Sequence, residues 1–348
     1  MKVTRLVDIA DRAGVSISSV SLVLNGLERG RVRPESAERI REVAQELGYL
    51  PNLAARGLRT RQTLTIGVLA RRVATRDFAA EMLAGAQNAA WEAGFVMLLV
   101  DTDGNEDAEE SAINALQQRN VEALVLATEF HQVVQLPGLR TDVPIVILDG
   151  VEESGQEADS VVPDEAAGAY AATRHLIENG HRRIALCNLP ESTYIAATLR
   201  RRGYEAALEV EGIQVDPSLI FEAQDPEPAS GRMAAQTLMT RDDVPTAVFC
   251  ASDRLAFGFY QYAAAHGLSI PRDLSIVGFD NQRISLDYLV PPLTTVQLPH
   301  REMGAWAIKR AIARARGEER GPAVSALISC PLVSRDSVAS PRRNGQAG

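Results

Sequence analysis

Apolar positions between residues 62 and 338 follow two alternating rhythms. Near-continuous runs at Leu64–Ala70, Val96–Val100, Ala123–Ala127, Pro144–Leu148, Arg183–Asn188, Ala247–Ala251 and Leu274–Phe279 read as strands. Between them, Ala79–Ala93, Glu106–Arg119, Asp164–Asn179, Leu199–Glu211, Ala229–Thr240 and Asp253–His266 carry apolar residues at helical spacing. Strands this apolar, alternating with helices, predict parallel sheets covered on both faces. The length predicts two such lobes. Ligands in open α/β sheets sit beyond the carboxyl ends of the strands, so the expected site is a cleft between lobes.

Residues 1–50 have a different pattern. Thr4 is placed to cap a helix over Arg5–Ala13, with Leu6, Ile9, Ala10 and Ala13 on one face, and Gly14 permits a tight stop. Val15 fills the corner. Ser16 caps a second helix, Ile17–Asn25, ending at Gly26, whose Val20 and Val23 pack back on the first. A third helix starts at Pro34, buries Ala37, Ile40, Val43, Ala44 and Leu47, and stops at Gly48. Periodicity alone fits a generic three-helix bundle equally well. The outward face of the second helix favours a helix-turn-helix: Ile17, Ser18, Ser21 and Leu22 are small hydroxyls and apolar groups, suited to base edges and thymine methyls.

Charge supports that reading. The chain carries a net −9, but residues 1–61 hold 11 Lys+Arg against 7 Asp+Glu, a net of +4, leaving −13 on the remainder. A basic head on an acidic body approaches phosphate head first.

The run Val7-Asp8-Ile9-Ala10, Ala13-Gly14-Val15-Ser16, Val20-Ser21 and Val23-Leu24-Asn25-Gly26 resembles the headpiece of the lactose-repressor (LacI) family, and Leu47-Gly48-Tyr49, Pro51-Asn52, Ala55-Arg56 and Leu58 continue the match. The resemblance implies a DNA-contacting set of Thr4, Ser16, Ile17, Ser18, Ser21, Leu22, Asn25, Asn52, Ala55, Arg56 and Leu58. Ile17, Ser18 and Leu22 fall at its base-reading positions. Leu22 departs from members with Arg there, and cannot make a bidentate guanine contact. Residues 51–61 match a hinge that folds on DNA and wedges Leu58 into the minor groove. Alone it is too short for a stable helix, and Gly57 weakens it further.

The similarity extends over the body as a periplasmic-binding-protein-like sensor. It is most specific at Ile270-Pro271-Arg272-Asp273-Leu274-Ser275-Ile276-Val277-Gly278-Phe279-Asp280-Asn281 and Pro291-Pro292-Leu293-Thr294-Thr295-Val296. It implies effector contacts from Phe78, Asp149, Tyr194, Arg200, Ser252 and Asp280. Ala79 and Pro226 stand where family members often place rings, so a free pyranose fits less securely. Arg71, Arg72, Arg76 and Arg200 leave room for an anionic sugar derivative, although solvated arginines explain the first three.

The domains expected are thus a helix-turn-helix headpiece (1–50), a hinge (51–61), a two-lobed α/β effector-binding and dimerisation domain (62–338) and a disordered tail (339–348). The implied protein is a homodimeric repressor of a near-palindromic double-stranded operator, controlled by a sugar or sugar derivative. An activator is an open alternative. A transport solute-binding protein shares the fold, but would need a signal peptide and no head. No nucleophile elbow, phosphate loop or dinucleotide loop appears, so an enzyme is not expected. The five histidines lack metal-ligand spacing, and Cys187, Cys250 and Cys330 are too scattered for a zinc site or disulfide framework. No cofactor or metal is expected. No apolar run reaches the length of about 18 residues that crosses a membrane, and the cysteine usage suits the reducing cytoplasm.

Overall fold

The structure, a computed structural model, describes residues 4–49, 62–75, 79–136, 143–153, 158–282 and 288–342. The chain divides into two units, Met1–Thr63 and Leu64–Gly348.

In the first unit, helices α1 (Leu6–Ala13), α2 (Ile17–Leu24) and α3 (Pro34–Glu46) enclose Ile9, Ala10, Val20, Val23, Ala37 and Ile40. Gly14 ends α1 at φ 69°, a left-handed conformation open to glycine at little cost. Ser16 caps α2 by accepting the Ser19 N–H at 3.1 Å. Thr4 does not cap α1. Its hydroxyl donates to the Leu47 carbonyl at 3.0 Å, tying the chain's start to the end of α3. The residue before α1 is instead Arg5, whose N–H is satisfied by the Asp8 carboxylate at 2.7 Å.

The second unit holds two six-stranded sheets. The first lobe orders its strands β11-β5-β4-β3-β1-β2, with β1 (Thr65–Arg71), β2 (Val96–Asp101), β3 (Ala123–Val134), β4 (Ile145–Glu152), β5 (Asp159–Pro163) and β11 (Ser325–Ile328) all parallel. Helices α4 (Ala79–Glu92) and α10 (His300–Ala315) cover one face, and α5 (Glu106–Gln117) the other. The second lobe orders β12-β10-β9-β8-β6-β7. Its strands β6 (Ile184–Asn188), β7 (Ile220–Glu222), β8 (Ala247–Cys250), β9 (Ser275–Asp280) and β10 (Thr294–Gln297) are parallel, and β12 (Leu332–Val333) is antiparallel. Its faces are covered by α6 (Glu165–Glu178) with α7 (Ile195–Val210), and by α8 (Pro228–Met239) with α9 (Asp253–His266).

The chain passes between lobes three times: after β5, between β10 and α10, and between β11 and β12. Each lobe is therefore built from separated segments. The helix at 300–315 and the strands at 159–163 and 294–297 lie beyond the elements expected from the sequence. The tail expected to be disordered from Ala339 is anchored at that residue: its N–H donates to Ser275 Oγ at 3.1 Å, and its carbonyl lies 2.9 Å from His181 Nε2. All three cysteines are buried free thiols.

Candidate effector cavity and DNA-reading helix

On α2, Ile17 and Ser18 are exposed, whereas Ser21 and Leu22 are half-buried. The Asn25 amide donates back to the Ser21 carbonyl at 2.6 Å, which closes the helix end. Ser16 combines exposure with its capping bond. The hinge positions Asn52, Ala55, Arg56 and Leu58 lie outside the described residues, as does Phe78.

Where the strands of the two lobes end, a cavity of about 360 Å³ opens between them. Asp149, Tyr194, Arg200, Ser252 and Asp280 all line it, although the sequence distributes them over four separate elements, Tyr194 and Arg200 sharing α7 and its cap. Asp149 comes from the first lobe and the other four from the second.

Arg200 enters from the second turn of α7 and is 5% exposed. Its Nε and Nη2 meet the Glu165 carboxylate at 2.7 and 3.2 Å, and Nη1 donates to the Ala251 carbonyl. Asp280 lies 3.8 Å from Nη2, and the Phe279 ring packs under the guanidinium at 3.9 Å. This arginine is held by the protein on several sides, a tighter commitment than a ligand clamp alone requires. Ser252 accepts the Leu255 N–H at 3.2 Å and so caps α9 beside the cavity.

Asp149 and Asp280 share an unusual backbone. Both are non-glycine residues at positive φ, 65° and 112° respectively. Such strain persists where the surroundings hold a residue in place, and it concentrates at binding sites. Asp149 does not end its strand as expected. A bulge between Ala127 and Gln132 of β3 lets β4 continue past it to Glu152. Thr128 Oγ1 donates to the Asp149 carbonyl at 2.6 Å and closes the bulge. Burial, aided by Glu165 and opposed by Arg200, raises the Asp149 carboxyl to about 8. Burial also raises Asp280, despite Arg200.

The same bulge carries Glu129, Phe130 and His131 into the cavity. The Phe130 ring lies 4.9 Å from that of Tyr194, tilted by 57°, so a pair of rings spans the two lobes. Glu165, Glu227, Arg254 and His300 add further ionisable side chains to the lining. Sequence reasoning missed these residues. Glu165 follows a helix cap and reads as an ordinary first-turn acid; Thr128–His131 reads as a loop after an apolar strand. Pro226 also lines the cavity, and this chain has no aromatic ring at that position. Arg71 and Arg72 do not reach it: Arg71 bonds Glu109 twice at 2.6 Å, and Arg72 pairs with Asp103 at 3.5 Å. Among the described residues no acid, histidine and cysteine group could hold a metal ion.

A helix-turn-helix unit carried with a two-lobed ligand-binding unit defines a DNA-binding transcription regulator, a class in which solute-binding transport proteins have no place. Residues 5–52 match the model of the bacterial regulatory proteins of the lacI family, and residues 173–338 that of the periplasmic binding protein-like domain. The ribose operon repressor of Haemophilus influenzae is 35% identical over 310 residues, covering 88% of this chain and 90% of that one. The transcriptional repressor PurR of Aliivibrio salmonicida is 32% identical over 309 residues, covering 88% and 91%. Among solved structures, the Lac repressor dimer bound to operator and the anti-inducer ONPF superposes with a TM-score of 0.78 at 26% identity, over 97% of this chain and 100% of that one. This chain belongs to the lacI family. It is a transcriptional regulator, not an enzyme, and among the described residues no helix is long and apolar enough to cross a membrane.

Proposed function

We propose that this protein is a cytoplasmic homodimeric repressor whose operator affinity is set by a small molecule, a sugar or sugar derivative, bound in the cavity between the lobes. One observation carries the reading: Asp149, Tyr194, Arg200, Ser252 and Asp280 meet around one cavity of about 360 Å³, within the range that encloses small ligands. The relatives named for ribose and for an operator point the same way.

The head, residues 1–50, presents Ile17, Ser18 and Leu22 to base edges, with Thr4, Ser16, Ser21 and Asn25 supporting the helix and its phosphate contacts. Residues 51–61 form the hinge, through Asn52, Ala55, Arg56 and the Leu58 wedge. Phe78 joins the effector contacts in residues 62–338. Dimerisation is supported by apolar exposure on the edge strand β2 and the adjacent α4, at Val96, Leu99 and Trp91. Exposed apolar groups on a sheet edge favour a partner.

Selection of bound sites from random duplexes tests the reading. A two-fold dimer returns a near-palindrome, and one half-site alone would refute it. A thermal-shift screen tests the sensor, because a ligand at 100 times its dissociation constant adds about 2.7 kcal/mol.

A further inference from the structure

Residues 1–61 carry a net charge of +4, yet residues 4–49, the three-helix head, contribute none of it. Seven arginines there meet seven carboxylates, and the surplus is Lys2, Arg56, Arg59 and Arg61. A neutral unit is drawn to a polyanion only where its charges are segregated. In this head they are. Six of the seven acids lie on two helices, Asp8 and Asp11 on α1 and Glu35, Glu38, Glu42 and Glu46 on α3. The loop from α2 to α3 sets only Glu28 against Arg29, Arg31 and Arg33, and Glu28 is already taken by Arg41 of α3. The three loop arginines are exposed and make no ion pair among the described residues.

The loop is a built turn. The Leu27 N–H donates to the Leu22 carbonyl at 2.9 Å, and the N–H groups of Arg31 and Val32 both donate to the Glu28 carbonyl, at 2.9 and 3.0 Å. Gly30 turns the chain at φ 71°. Val32 packs against the head's core, while Arg31 and Arg33 on either side of it stay in solvent. Arg33 does not stabilise the helix it precedes. It offers α3 no side-chain cap, and a cation at that end opposes the macrodipole.

The length of α2 says what these cations reach. Its 8 residues span about 12 Å, close to the roughly 12 Å width of a major groove. A helix that enters with its N-terminal end on the bases carries the loop at its other end to the phosphates walling the groove. We propose that residues 28–33 form a second DNA-contacting surface, in which Arg29, Arg31 and Arg33 hold the phosphate backbone beside the groove that α2 reads and supply affinity without sequence preference. This surface rests on the reading of the head proposed above, with Ile17 and Ser18 toward the bases.

Binding of the full chain to two duplexes, one of random sequence and one returned by site selection, tests it across a salt series. Each phosphate contact adds about 0.9 to the slope of log affinity against log salt. Arg29→Ala, Arg31→Ala and Arg33→Ala combined should lower that slope by about 2.7 per head on both duplexes. The selected logo should not change, because phosphates carry no sequence. Arg29→Lys, Arg31→Lys and Arg33→Lys combined keeps the charges and should keep the slope. A thermal melt confirms folding, and the single Ala variants, each expected to lose about 0.9, replace the triple one if it does not fold. A slope loss below about 1 in the folded triple Ala variant overturns the proposal. So does a loss confined to the selected duplex, or a Lys variant as weak as the Ala one. An unchanged slope beside a logo that still shifts in Leu22→Arg would remove this surface and keep the reading helix. A wild-type chain that selects no logo would remove the reading helix and this surface with it.

Discussion

Replacing Arg200 by Ala should do more than blunt a ligand response. The guanidinium is buried among Glu165, the Ala251 carbonyl, Asp280 and the Phe279 ring. Removing it leaves Glu165, 2% exposed, as a buried carboxylate without its cation. Breaking one side of a buried pair costs about 3–5 kcal/mol, or roughly 2–4 °C of melting midpoint per kcal/mol. The loss should depend on pH with a definite sign. Without Arg200, the Asp280 carboxyl, already raised by burial, loses the cation that opposed that rise and climbs further. The folded variant then holds protons that the unfolded chain has released, so it loses stability as pH rises. Urea denaturation of the full chain, followed by circular dichroism, should show the gap from wild type widening between pH 5 and pH 8. Adding Glu165→Gln removes the stranded charge and should recover part of the loss at pH 8. A single variant within 1 kcal/mol of wild type at pH 8, or a gap flat across this range, would refute the account.

Leu22→Arg should change the preferred base at one position per half-site, by about 1–3 kcal/mol of discrimination, and an unchanged logo in site selection would count against its base-reading role. Leu58→Ala should weaken operator binding far more than binding to random duplex, as gel-shift titrations would show; equal losses would remove the wedge. Ser16→Ala deletes the cap on Ser19 N–H and should cost about 1 kcal/mol, read as faster amide exchange along α2. Asp159, buried between Arg314 and Arg310, is held at about 2 because their bonds and the Val324 N–H outweigh the effect of burial. Its contribution should therefore persist above the usual carboxylate pKa and fade as pH drops toward 2. Asp159→Asn should cost about 3–5 kcal/mol in chemical denaturation at neutral pH.

The elements easiest to read were those whose local signals agreed with their burial. Ser16, Gly14 and the apolar spacing at Ile9, Val20 and Ile40 delimit the head, and the apolar runs of β1, β6 and β8 outline the sheets. The strand at Asp159–Pro163 is not marked by its sequence because its first two residues are polar, yet the α10 arginines bury Asp159 and Ser160 bonds Ser325 of β11. The α10 helix was also passed over, although Met303, Ala307, Ile308, Ala311 and Ile312 recur at helical spacing. In the cavity, Asp280 and Arg200 stood out through motif position. Glu165 did not, because its partner lies 35 residues away and only the packing of α6 on α7 brings them together. His131 and Phe130 depend on a bulge, a register event between β3 and β4 that neither strand announces alone.

The threefold passage between lobes also bears on how the chain is made. The first lobe acquires β1 to β5 early in synthesis, yet its covering helix α10 and its edge strand β11 come from residues 300–328. At about 5–20 residues per second, the nascent first lobe waits on the order of ten seconds with one sheet face covered by α4 alone, while most of the second lobe is translated. The head, finished by residue 48, needs no such wait. A ribosome that stopped anywhere between residues 164 and 299 would release a chain with a complete DNA-reading helix and no completed first lobe. The interleaved order thus makes intact synthesis of the C-terminal third a condition for a head that carries its control with it.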